Sequence, residues 1–131
     1  MGNTQVIAVD TNVITALLRG ENRDLPNEEL YIPYVVLAEL QAGIAAGNNP
    51  QKNRPILDTF LKDKNITTSP GLVPEIITNY VEIYGYLRKK GTPISPNDLW
   101  IAAECMHLSM PLLTYDKDFD NVPQIILAAQ I

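Results

Sequence analysis

The chain has 131 residues, a net charge of −5 and only short apolar runs. These properties exclude several classes of protein. The length predicts one domain spanning residues 1–131, and the apolar runs are too short for a membrane-spanning helix. A single cysteine excludes a disulfide framework and a thiolate zinc site, and a single histidine excludes two-histidine ribonuclease chemistry.

The first half of the chain predicts alternating strands and helices. The β-branched run at residues 6–9 is typical of a parallel strand covered on both faces, and a helix over about residues 12–19 follows it. Residues 21–30 are polar and predict a loop. The stretch "LYIPYVVLAELQAG" predicts a short strand at residues 31–32 and then a helix ending near Ala46.

The second half continues this alternation. Helices are predicted in "NNPQKNRPILDTFLKDK", over about residues 75–90, and from "SPND" onward, with strands at "NITT", "PLLTY" and "QIILAA". Strands separated by helices are typical of βα units in a parallel sheet. The predicted class is α/β.

Two acids follow predicted strands directly. Asp10 comes after "VIAV", and Asp116 comes after "PLLTY". If both strands are parallel in one sheet, both carboxylates project at its carboxyl edge, where α/β proteins place ligands and catalytic groups. Asp10 is equally suited to cap the helix that follows it, so the strand position alone leaves both interpretations open.

Two further acids lie on predicted helices among apolar neighbours. Asp98 shares a helix face with Ile101 and Ala102, although it also completes a capping box with Ser95. Glu39 lies in the middle of an apolar stripe, where a carboxylate is costly to bury without a cation or hydrogen-bond donors. A glutamate at the helix edge, reaching for solvent, is the alternative for Glu39.

Taken together, the four acids predict a cation site. Clustered carboxylates repel by roughly 1–4 kcal/mol per pair at about 4 Å, so such a cluster needs compensating charge. Oxygen ligands without histidine or cysteine favour Mg²⁺ or Mn²⁺. A metal-loaded face would attract phosphate, so the acidic composition does not exclude nucleic acid as a partner.

The segment "DKDFDN" after the last predicted helix carries acids at positions 116, 118 and 120. It is not an EF-hand loop, because the sixth position is Asn121 and the twelfth is Leu127. We expect Asp118 and Asp120 to be solvated loop acids, of which Asp120 is the better candidate for an auxiliary role.

Four stretches in chain order, "AVDTNVI", "LAELQAG", "SPNDLWIAA" and "LLTYDKDF", resemble the four acidic motifs of the PIN-domain nucleases. The similarity is greatest to the VapC-type toxins of prokaryotic toxin–antitoxin pairs and covers nearly the whole chain. It implies a three-layer α/β/α domain with a central, mainly parallel sheet. It also implies that a quartet holds Mg²⁺ or Mn²⁺ and hydrolyses RNA phosphodiester bonds. The quartet is Asp10, Glu39, Asp98 and Asp116, with Asp10 and Asp98 as the main ligands.

The resemblance assigns supporting residues and partners as well. Asn12 matches a polar position that supports the first aspartate, and Thr114 matches the small polar residue before the fourth acid. Arg19 and Lys117 are candidates for holding the RNA backbone. The family implies a homodimer, for which the helices around residues 35–46 and from residue 75 offer apolar surface, and a cognate antitoxin with a basic segment.

Two other readings of the same motifs remain. "DTNVIT" is similar to the D-x-D-x-T/V opening of haloacid-dehalogenase-type phosphatases, but Asn12 stands in place of the second aspartate and Ile14 in place of Thr or Val. A PIN-like interaction module that has lost cleavage is the non-enzymatic alternative. We expect His107 to be a surface or core-edge residue. The unpaired Cys105 and the absence of a signal-peptide pattern predict the reducing cytoplasm.

Overall fold

The computed structural model describes residues 5–21 and 28–128. Within these ranges the strands are β1 (Val6–Val9), β2 (Glu29–Ile32), β3 (Ile66–Thr68) and β4 (Leu112–Leu113). The helices are α1 (Thr11–Leu18), α2 (Tyr34–Ala46), α3 (Pro50–Leu61), α4 (Glu75–Lys90) and α5 (Pro96–Leu108), and a 3₁₀ helix spans Lys117–Asn121. None of the described helices is both long and apolar enough to cross a membrane.

The strands form one parallel sheet in the order β3-β2-β1-β4. Ala8 of β1 pairs with Tyr31 on one side and with Leu112 on the other. The chain builds outward from β1 to β3 and then returns to the opposite side with β4. Such a change of direction opens a crevice at the carboxyl ends of the strands, where open α/β sheets bind ligands. The α/β class and the central parallel sheet flanked by helices are therefore confirmed.

The core encloses β1 from Ile7 to Val9, which explains its uninterrupted apolar sequence. Ala8 and Val9 have no exposed surface, and Ile14, Ile83 and Ile101 from three different helices are equally buried. Because β1 is fixed by neighbours on both edges and both faces, the residue that follows it has a firmly defined position. That residue is Asp10.

The predicted loop over residues 21–30 is wrong at its end. β2 begins at Glu29, and Leu30 pairs with Ile7 and Ile66 and is almost fully buried. The two glutamates at positions 28 and 29 give no local strand signal, so the start of β2 depends on pairing with the neighbouring strands. Residues 22–27 of the same prediction lie outside the described residues.

The strand predicted at residues 124–129 is also wrong over its described part. Only Leu127 forms a parallel bridge, to Leu112, with the amide of Ala128 donating to the Leu112 carbonyl at 2.8 Å. The amide of Ile125 donates back to the carbonyl of Val122, so a turn occupies the segment just before the bridge. Residue 129 lies outside the described residues.

Candidate active site

A pocket of about 410 Å³ opens at the carboxyl edge of β1 and β4. Its lining includes Asp10, Glu39, Asp98 and Asp116, together with Thr11, Asn12, Thr15, Ala16, Arg19, Glu21 and Tyr115. The structure thus brings the four sequence-predicted acids to one pocket, although they are separated by up to 106 positions in the chain. His107 is exposed in the last turn of α5, as expected of a surface residue.

Asp10 is the most buried of the four acids, with 4% of its surface exposed. Its Oδ1 accepts a hydrogen bond from the Thr11 amide at 2.7 Å, and its Oδ2 accepts one from the Thr114 hydroxyl at 2.7 Å. Burial raises the pKa of Asp10, these two hydrogen bonds oppose the rise, and the charges of Glu39 and Asp116 add to it. Asp10 is the N-cap of α1 and also lines the pocket, so its two interpretations are compatible.

Glu39 is held by two neutral donors. Its Oε1 accepts a hydrogen bond from the Thr11 hydroxyl at 2.5 Å, and its Oε2 accepts one from the Asn97 side-chain amide at 3.1 Å. Neutral donors orient a carboxylate without neutralising its charge. The sequence did not single out either donor, although each is next to a predicted acid, Thr11 after Asp10 and Asn97 before Asp98.

Asp98 lies in the first turn of α5, where the Ser95 hydroxyl accepts a hydrogen bond from the Asp98 main-chain amide at 3.2 Å. The cap of α5 uses the main-chain amide of Asp98, and the carboxylate, which also interacts with the Ser95 side chain, lines the pocket. Burial raises the pKa of Asp98 to about 6, with the charges of Asp10 and Asp116 adding to the rise and Ser95 opposing it. Burial and nearby negative charge both disfavour the ionised form, which a bound cation would favour.

Asp116 begins the 3₁₀ helix, and its Oδ1 accepts a hydrogen bond from the Asp118 amide at 2.9 Å. This turn brings one carboxylate oxygen each from Asp98, Asp116 and Asp118 to within 4.8 Å of one another. Asp118 is exposed, but it belongs to the cluster that the sequence had left to the four other acids. Asp120, predicted as the auxiliary acid, lines a neighbouring pocket of about 250 Å³ with Lys117.

Thr114 links two of the acids, and Asn12 holds the segment between them. The Thr114 hydroxyl donates to Asp10 and accepts a hydrogen bond from the Asp116 amide at 3.0 Å. The Asn12 Oδ1 accepts a hydrogen bond from the Tyr115 amide at 3.2 Å and so braces the segment after β4, and its support of Asp10 stays a prediction.

The donor chemistry of the pocket fits a hard divalent cation. Three carboxylates approach closely at Asp98, and neither histidine nor cysteine is among the described lining residues. Arg19 is the one Lys or Arg among the described residues of the lining. Oxygen-only sites of this kind suit Mg²⁺ or Mn²⁺ better than zinc.

The raised pKa of Asp98 predicts a pH-dependent stability of the cation-free protein. With a pKa of about 6 in the fold and about 3.9 in the unfolded chain, the folded state binds more protons between these values. Stability therefore falls as the pH rises from about 4 through about 6. Because Asp98 is only half-buried and partly screened, we expect a loss of about 1–2 kcal/mol.

Urea unfolding of metal-free protein between pH 4 and pH 7 measures this loss, and Asp98→Asn is the reference. As the pH rises from 4 to 7, the unfolding free energy of the wild type should fall relative to that of Asp98→Asn. Parallel pH profiles would contradict the pKa assigned to Asp98.

The fold and the site together define an α/β domain with converging carboxylates at the carboxyl edge of a parallel sheet. The family model of the PIN domain matches residues 7–125 of the chain. The chain belongs to the PIN-domain family, and the resemblance drawn from its four motifs is confirmed.

Similar proteins carry VapC names. The chain is 32% identical to Ribonuclease VapC of Rickettsia bellii over 123 residues, which cover 91% of this chain and 92% of that protein. It is 27% identical to Ribonuclease VapC1 of Haemophilus influenzae over 131 residues, covering 92% and 94%. The chain in a structure of VapBC-1 from nontypeable Haemophilus influenzae superposes with a TM-score of 0.78 at 25% identity, covering 95% of this chain and 97% of that one. A chain in the crystal structure of VapBC2 from Rickettsia felis, bound to a DNA fragment from their promoter, superposes with a TM-score of 0.84 at 24% identity. The superposition covers 97% of this chain and 100% of that one.

Proposed function

We propose that this protein is a Mg²⁺- or Mn²⁺-dependent endoribonuclease of the cytoplasm and the toxin of a toxin–antitoxin pair. The observation that carries the proposal is the convergence of Asp10, Glu39, Asp98 and Asp116 on one pocket. Relatives at 27–32% identity that are named ribonucleases support the choice of RNA as the substrate.

The carboxylates around Asp98 are the proposed cation ligands. One carboxylate oxygen from each of Asp98, Asp116 and Asp118 lies within 4.8 Å of the others. The buried Asp10 adds a further negative charge that acts on Asp98. A bound Mg²⁺ or Mn²⁺ supplies Lewis-acid polarisation of the scissile phosphate and offsets the charge that develops on it. The quartet thus provides the binding charge, and Asp118 joins it as a fifth acid.

Glu39 is the acid best placed to orient the attacking water. Thr11 and Asn97 hold its two oxygens with neutral hydrogen bonds, which leaves its negative charge available to accept a proton. In the proposed reaction a water oxygen bonds to phosphorus while its proton passes to Glu39. The P–O ester bond breaks, the leaving oxygen takes a proton from solvent water, and Glu39 returns its proton to solvent. Arg19 on the pocket rim and the exposed Lys117 are proposed contacts to the RNA backbone.

A second pocket supports the proposed antitoxin partner. A groove of about 270 Å³ adjoins the acidic pocket and is lined further by Leu40 and Ile44. The two pockets share Thr11, Thr15, Arg19 and Glu39. A segment with apolar residues for the groove and a basic residue for the acidic pocket would cover both. Complexes titled VapBC among the structural neighbours support such a partner.

We also propose a homodimer built on α4. Ile77, Val81 and Tyr84 are exposed by 55%, 61% and 43% and lie on one face of this helix. The apolar surface expected on α2 is smaller, because Tyr34 is the one large apolar side chain of this helix that is exposed.

Light scattering at tens of micromolar should give a dimer, and Val81→Glu should give a monomer. Ile126→Glu is the matched control, because Ile126 is 71% exposed outside α4. A monomeric wild type would contradict the dimer.

Incubation of the purified protein with total RNA and Mg²⁺ tests the function. Discrete internal fragments, absent when the cation is chelated, support the endoribonuclease. Release of phosphate from a phosphomonoester with a phosphorylated Asp10 would favour the phosphatase alternative instead. Intact RNA under all divalent cations would leave the non-catalytic module as the better description.

A further inference from the structure

Glu104 is a buried carboxylate that plays no part in the pocket. It lies on α5, six residues after Asp98, and 1% of its surface is exposed. Its Oε2 accepts a hydrogen bond from the Tyr31 hydroxyl at 2.6 Å, and its Oε1 accepts one from the Tyr34 main-chain amide at 2.9 Å. Burial and this hydrogen bond raise the pKa of Tyr31 to about 12, which keeps the phenol as the donor. Burying a carboxylate costs more free energy than burying an apolar side chain of the same size. We therefore ask what its two hydrogen bonds contribute to the structure.

One of these contacts is at the first residue of α2. Tyr34 follows Pro33, which provides no side-chain cap, so the first amide of the helix needs an acceptor from elsewhere. Glu104 supplies that acceptor from α5. The contribution matters because Val36 and Leu40 are the two buried residues among the 13 of α2.

The same two helices meet again at the pocket. Glu39 lies five residues after Tyr34, about 7.5 Å along α2, and Asn97 lies seven residues before Glu104, about 10 Å along α5. Glu39 accepts its hydrogen bond from the Asn97 side chain. The helices therefore run antiparallel, with one polar contact at each end of the shared stretch.

We propose that Glu104 is a positioning residue, which holds the first turn of α2 and thereby sets Glu39 against Asp98. It touches neither substrate nor cation. Its effect on cleavage rests on the proposed function, whereas its effect on the position of Glu39 does not.

The first experiment needs no activity. In Glu104→Met the apolar side chain keeps the volume but removes both acceptors, and the Asn97 side-chain amide signals in a ¹H–¹⁵N NMR spectrum report the contact with Glu39. These signals should move in Glu104→Met and stay close to wild type in Glu104→Gln, whose amide oxygen can still accept from Tyr34. Tyr31→Phe is the matched control, because it breaks the other hydrogen bond of the same carboxylate, and we expect it to leave them in place.

A second variant removes the donor instead of the acceptor. Tyr34→Pro deletes the amide hydrogen at the first helical position, where proline is favoured, and Pro33 already has an extended backbone. It should move the Asn97 signals in the same way as Glu104→Met. If neither variant folds, Glu104 is a requirement of folding and the positioning role is wrong.

Kinetics then connect the position of Glu39 to cleavage. A displacement of about 1 Å can cost up to about 100-fold in rate, so Glu104→Met should lower kcat by at least about tenfold with KM little changed. In a Glu39→Gln background the same substitution should cost almost nothing further, because its effect passes through Glu39. A folded Glu104→Met protein with wild-type Asn97 signals and wild-type kcat would overturn the proposal. If the wild type cleaves no RNA, the proposed function fails, and the Asn97 signals alone decide the role of Glu104.

Discussion

Replacing Asp98 by asparagine should reduce RNA cleavage by about a thousandfold or more while the protein remains folded. The substitution is nearly isosteric and leaves the Ser95 cap intact, because that hydrogen bond comes from the main-chain amide. It removes a charge from the point where Asp98, Asp116 and Asp118 converge. Losing the cation there forfeits several kcal/mol of charge stabilisation, and about 4 kcal/mol corresponds to a thousandfold.

Asp58→Asn is the matched control, since Asp58 is an exposed aspartate on α3. Both variants should give the circular dichroism of the wild type, and the control should cleave at the wild-type rate. A folded Asp98→Asn protein that keeps full Mg²⁺-dependent activity would show that Asp98 is not part of the active site.

The second large effect is expected at Glu39. Glu39→Gln can keep the hydrogen bond from Asn97 through its amide oxygen, while the Thr11 hydroxyl turns to accept from the amide nitrogen. The residue can then no longer take a proton from the attacking water, so kcat should fall by about 10²–10⁴-fold. Cation binding should persist, because the closest carboxylate set is around Asp98.

Titration of each protein with Mn²⁺ separates these roles. Asp98→Asn should lose both cleavage and cation binding, whereas Glu39→Gln should lose cleavage alone. If Glu39→Gln instead cleaves RNA at a rate within about threefold of the wild type, the loss is well below the effect of losing a general base. In that case another group accepts the proton from the attacking water.

The positions of the strand acids could be predicted from the sequence because each depends on a local pattern. The apolar run at residues 6–9 is long enough to identify β1, and the register of a parallel sheet then carries Asp10 and Asp116 to the same edge. Asp98 and Glu39 were identified by helical spacing against apolar neighbours.

Contacts that depend on tertiary geometry could not be predicted in the same way. Whether Asp118 or Asp120 reaches the cluster is decided by the turn in which Asp116 accepts from the Asp118 amide. The Thr11 hydroxyl, which donates a hydrogen bond to Glu39, lies 28 residues before Glu39 in the chain. Glu104 is a different case, since it is also an acid on a largely apolar helix, and the criterion that identified Glu39 would have found it.

The thermal stability of the protein with and without Mn²⁺ tests whether the carboxylates form a cation site. At ten times Kd one site adds RT ln 11, about 1.4 kcal/mol, to the folded state, which for this length raises Tm by roughly 3–6 °C. Asp10→Asn and Asp98→Asn should lose most of that increment, and each is expected to be more stable than the wild type without the cation at pH 7. An increment in either variant as large as in the wild type would contradict a cation site made by these acids.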